Sequence, residues 1–187
     1  MIGKIRYFKP YALDKNYFRE LDEYMSLVQA QDWVCVLDGD TMFMYLDWGH
    51  KLQQYVSMYP DTGLFSCVSN RCHYMCQQSG DKAFSEENIV WHRRFAEQLF
   101  REKGFAVKEV QRRVAGHLMM IKKETWTRIR NEVQSAVMAQ GKQILGVDTK
   151  ISNAMVRNGL KIRIMEGFYL FHFLRFDSGV DNKSHLI

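Results

Sequence analysis

At 187 residues, with 47% apolar and 13% aromatic content, the chain can bury the core of one domain, which excludes a wholly disordered chain. No apolar run approaches the ~18 residues of a membrane span, and Lys4, Arg6 and Lys9 are broken up by aromatics instead of leading a signal-peptide core. The net charge of +5 suits an anionic ligand such as a nucleotide or an anionic membrane surface, but its spread along the chain argues against nucleic acid. The expected location is therefore cytoplasmic, with peripheral membrane contact compatible and no transmembrane segment. Four cysteines in such a chain read as reduced thiols. Neither a linker nor an internal repeat divides the sequence, so residues 1–187 are expected to form a single domain, with about 177–187 as a flexible tail.

In chain order, residues 4–8 read as a strand and 14–28 as a helix with Phe18, Leu21, Met25 and Val28 on one side. The apolar strand 33–37 runs straight into Asp38-Gly39-Asp40. A helix over 46–58 ends near Pro60, a strand over 63–68 follows, and 70–84 reads as a polar loop. Residues 86–103 form a long amphipathic helix closed by Gly104, 107–110 and 117–121 are strands, and 123–137 is helical. A further helix over 149–158 ends at Gly159 and leads into a strand over 161–165, followed by the aromatic strand around His172. Strands alternating with helices predict an α/β sandwich with a mostly parallel sheet.

Four places carry chemistry. Asp38 and Asp40 stand at the carboxyl end of a buried strand, where open α/β sheets gather ligands, and their hard oxygens suit Mn²⁺ or Mg²⁺. Gly39 between them lets the turn tighten and leaves room for a phosphate, although Asp and Gly also build ordinary acidic turns. Asp148 precedes a helix, where an aspartate is the expected N-cap. His172 lies among aromatics, as core histidines do, yet imidazole completes many carboxylate metal sites. Cys67, Cys72, His73 and Cys76 crowd one region, but Cys72-x3-Cys76 lacks the second knuckle of a structural zinc site, so structural thiols are expected.

Taken in order, the strand with Asp38-Gly39-Asp40, Ser69-Asn70-Arg71, Ala115-Gly116-His117-Leu118-Met119-Met120, Gly146-Val147-Asp148 and Glu166-Gly167-Phe168-Tyr169-Leu170-Phe171-His172 resemble the small family 2-type glycosyltransferases with the GT-A fold. The similarity runs over about residues 15–175. It implies a metal-dependent enzyme that moves a sugar from a nucleotide-sugar donor, UDP being the favoured carrier, to a glycan or glycolipid acceptor. Asp40 would ligate the Mn²⁺ or Mg²⁺, Asp38 would touch the cation or the donor ribose, and His172 would complete the shell. Asp148 would take the acceptor's proton and so give inversion. Asn70 and Arg71 would reach the donor sugar or phosphates. The chain departs from the family in its short N-terminal half, where only residues 4–8 precede the first helix, and in Val147, which stands where the family has a glutamate. Asp38-Gly39-Asp40-Thr41 also resembles the first motif of haloacid dehalogenase-like phosphatases, with Met42 breaking that pattern. A non-catalytic relic that only binds a nucleotide or glycan is the third reading.

Overall fold

The computed structural model describes residues 3–10, 16–72, 74–140 and 146–173. The elements are β1 (Ile5–Phe8), α1 (Tyr17–Ser26), β2 (Trp33–Leu37), β3 (Thr41–Phe43), α2 (Trp48–Met58), β4 (Thr62–Ser69), a 3-10 turn at Met75–Gln77, α3 (Asp81–Ser85), α4 (Ile89–Lys103), β5 (Val107–Val110), β6 (Leu118–Lys122), α5 (Lys123–Met138), α6 (Val147–Arg157) and β7 (Lys161–His172). Local chemistry sets several of these ends. The Asn16 side chain accepts from Arg19 N–H to start α1, and that of Asn88 accepts from Val90 and Trp91 N–H to start α4. Gly104 closes α4 at a φ of 53°, a value that favours glycine.

The strands form one seven-stranded sheet in the order β1-β2-β6-β4-β7-β3, with β5 also pairing on β7. Tyr7 meets Trp48 of α2 edge-on, while the next residue, Phe8, stacks on Tyr24 of α1, so α1 and α2 cover opposite faces. On the α2 face, Tyr45 hydroxyl donates to carbonyls of Ala96 in α4 and Gly167 in β7. On the other face Phe18 of α1 packs against Trp126 of α5, and α5 packs on α6. The buried core runs through β2, β4, β6 and β7 between these layers. Among the described residues, no helix is long and apolar enough to cross a membrane.

The α/β class agrees with the sequence, but the sheet is mixed instead of mostly parallel. β1–β2 and β4–β7 pair parallel, whereas β2–β6, β4–β6, β3–β7 and β5–β7 pair antiparallel. A fully buried strand carries the same apolar run in either direction, so composition does not reveal its sense. The two expected strands at the C-terminal side are one, β7, whose pairing with β4 jumps from Cys67↔Met165 to Val68↔Tyr169 and so bulges across residues 166–168. Gly167 is required there: a Cβ on it would lie 2.1 Å from Gly104 O. The expected loop over 70–84 contains the 3-10 turn and α3, and β3 was not anticipated. Residues 14 and 15, His73 and the expected tail over 177–187 lie outside the described residues.

Candidate metal centre and neighbouring acid

β2 delivers Asp38 to its carboxyl end, and the backbone then crosses the tip of β4. Asp38 N–H donates to His117 O beside β6 at 3.3 Å, and Asp40 O accepts from Phe173 N–H beyond β7 at 2.8 Å. β6 and β7 are the two neighbours of β4, so the Asp38-Gly39-Asp40 stretch spans that strand's end. Antiparallel β3 follows at once, pairing Thr41 with His172. Asp38, Asp40 and His172 thereby each place a ligand atom within 4.8 Å of the others. A Cβ on Gly39 would meet nothing within 4 Å, which leaves the expected space for a phosphate open.

His172 is tightly held. Its backbone N–H donates to Asn70 Oδ1 at 2.7 Å and its carbonyl accepts from Asn70 Nδ2 at 3.1 Å. Its ring Nδ1 lies 3.0 Å from Arg71 O, and because a carbonyl only accepts, Nδ1 carries the proton. Nε2 then faces Asp40 Oδ1 at 3.3 Å. Burial pulls the imidazole pKa down, but the hydrogen bond to Asp40 and that carboxylate's charge prevail and leave it raised. Asp38 is raised as well, by burial first, with His172 opposing and Asp40 and Asp148 adding to the rise.

The acid on α6 lies close by. The expected helix start at Thr149 is corrected: α6 begins at Val147, with left-handed Gly146 as its N-cap. Asp148 is thus the second helical residue, not the cap. Its Oδ1 accepts from Thr149 N–H at 2.7 Å, and Gly116 N–H also holds the carboxylate. Gly116 fits this contact closely, since a Cβ there would lie 3.2 Å from Asp148 Cβ. Burial raises the Asp148 pKa against the pull of these N–H groups. Asp38 and Asp148 together act on Tyr17, whose phenol is pushed far up by burial first and by these two carboxylates next.

Asn70 and Arg71 are placed at this centre, but facing its frame. Asn70 is 1% exposed and bonds through both polar atoms to the His172 backbone. Arg71, 3% exposed, donates from Nε to Phe84 O and from Nη1 to Phe173 O. Three further residues at the centre have no role in the sequence motifs. Gln77 is fully buried, donating to Ser66 Oγ and Cys67 O and accepting from Ala115 N–H, which ties the end of β4 to the segment entering β6. His117 and Tyr17 are the others, and only His117 lies within one of the motifs that carry the resemblance. Cys35 and Cys67 are buried on β2 and β4, as expected for structural thiols, and Cys72 Sγ donates to Gln77 Oε1 at 3.8 Å. The chain matches no protein-family model and no curated protein.

Proposed function

We propose that this protein is a cation-dependent glycosyltransferase that moves a sugar from a nucleoside-diphosphate donor, a UDP-sugar in the first instance, to a hydroxyl of a glycan or glycolipid with inversion. The observation that carries this reading is the facing pair His172 Nε2 and Asp40 Oδ1. With the imidazole proton committed to Arg71 O, a neutral His172 opposes its lone pair to a carboxylate, and the contact is favourable only with a proton or a cation between them. Asp38 beside them makes a two-carboxylate, one-imidazole donor set that suits Mn²⁺ or Mg²⁺.

Asp38, Asp40 and His172 would hold the cation, which supplies positive charge against the departing diphosphate. The open space over Gly39 would admit that diphosphate. Asn70 and Arg71 serve by fixing His172 and the chain after it. Asp148 would take the proton from the acceptor hydroxyl as the oxygen attacks the anomeric carbon from the side opposite the leaving group. Its raised pKa makes it a stronger base than an exposed carboxylate, and the Thr149 and Gly116 N–H groups keep it in place.

The test is calorimetry of Mn²⁺ and uridine diphosphate, alone and together, with a screen of nucleotide sugars for Mn²⁺-dependent hydrolysis. Each ligand is expected to tighten the other's binding, and Asp40→Ala to abolish that mutual gain. If Asp40→Ala binds both as the parent does, the assigned centre is wrong.

A further inference from the structure

Among the described residues, His117 is the one imidazole at this centre that the transfer reading leaves without a task. Its residue is 1% exposed and sits where the sheet gathers its ligands: its carbonyl accepts from Asp38 N–H, and its ring lies 5.8 Å from that of His172. Ring Nε2 is 3.2 Å from Cys67 O, and since a carbonyl only accepts, Nε2 carries the proton. Burial this complete disfavours a charged ring, so the imidazole is neutral and Nδ1 keeps a bare lone pair. That Nδ1 is buried and has no hydrogen-bond partner among the described residues. A buried acceptor left unsatisfied is costly, and such atoms in folded proteins are met by protein groups or ordered water. The described residues offer three ligand atoms to the cation, while Mg²⁺ and Mn²⁺ sites of this oxygen-rich kind are commonly octahedral and retain water.

We propose that His117 Nδ1 accepts a hydrogen bond from a water bound to the cation held by Asp38, Asp40 and His172, making His117 a positioning residue for that cation. The inference rests on the cation reading and adds to it a residue that does not itself ligate. Outer-shell partners of this kind change metal affinity by about 10–100-fold when removed.

The two ring nitrogens can be tested separately, because a Gln amide reaches the place of Nε2 and an Asn amide that of Nδ1. In His117→Gln the donor to Cys67 O is kept and the acceptor is lost. This variant is expected to melt like the parent without metal and to bind Mn²⁺ about tenfold more weakly or worse. His117→Asn is expected to show the reverse, with near-parental Mn²⁺ affinity and a lowered melting temperature. Should the Gln variant fold poorly, the ¹⁵N resonance of the bare Nδ1 in parent protein decides: it should move toward the hydrogen-bonded range on adding Mg²⁺. Parental Mn²⁺ affinity in a folded His117→Gln, or a resonance unmoved by Mg²⁺ that binds, overturns the role of His117 alone. A parent that binds neither cation overturns the metal centre itself and this inference with it.

Discussion

At the scale of the residue, Asp148 carries the difference between an enzyme and a binding relic. Two N–H groups, from Thr149 and Gly116, fix its carboxylate, and Gly146 caps the helix in its place. Asp148→Asn keeps the shape and one acceptor oxygen, so stability is expected to drop by only about 1 kcal/mol for a lost hydrogen bond. On the proposed reaction, transfer with a competent donor and acceptor should fall by roughly 10²-fold or more, because the proposed proton acceptor is gone, while Mn²⁺ affinity holds. Melting temperature, Mn²⁺ titration and transfer rate measured side by side check this, and parental transfer by the variant would leave the site without a base and favour the relic. Asp38, Asp40 and His172 were legible in the sequence because acids and a histidine at strand ends are unusual against apolar runs, and Asp148 because it stands at the start of a helix. Tyr17, Gln77 and His117 were not, since what they touch is brought near only by folding: Gln77 meets Ala115 across 38 residues. Asn70 was noticed for its place after a strand, but its bond to a residue 102 positions away decides what its amide does.

At the scale of the element, helices were the most legible part, because three or four turns leave a clear apolar stripe. β3 was not, because three residues are too short to show a period, yet it is the piece that sets Asp40 against His172. The helical layer on the α5 face is joined by one carboxylate. Asp22 of α1 accepts from Trp126 Nε1 and Arg130 Nε, both at 2.9 Å, and from Arg130 Nη2. The Arg130 hydrogen bonds lower its pKa against the opposing effect of burial, with Trp126 adding to the fall. A carboxyl whose folded pKa is depressed contributes stability in full above its unfolded value of about 3.9, and loses it as pH falls through the lower folded value. Asp22→Asn is therefore expected to cost about 1–2 kcal/mol at neutral pH, toward the low end because Arg130 is 39% exposed. Urea unfolding of parent and variant should show that gap closing as the pH is lowered below the unfolded value. A gap that stays constant across that range would mean that the charge on Asp22 contributes nothing and only its shape matters.

At the scale of the whole molecule, the centre is a point where the sheet's architecture works against stability. The acidic stretch spans the tip of β4, anchored to His117 beside β6 and to Phe173 beyond β7, and it brings Asp38 near both Asp40 and Asp148. Burial and those two carboxylates disfavour the charged form of Asp38, so without a cation an ionised Asp38 opposes folding. Asp38→Asn removes that charge with little change of shape. It is expected to raise the melting temperature of the metal-free protein by a few degrees, corresponding to about 0.5–2 kcal/mol. The same change should abolish the stabilisation by Mn²⁺, which for the parent at 100-fold excess over Kd amounts to about 2.7 kcal/mol. Opposite shifts in one variant, up without metal and none with it, are the signature of a site whose geometry is maintained for binding and not for folding. Thermal melts of parent and Asp38→Asn with and without Mn²⁺ read both at once. A metal-free variant less stable than the parent would make Asp38 a structural carboxylate, and a retained Mn²⁺ shift would remove it from the ligand set.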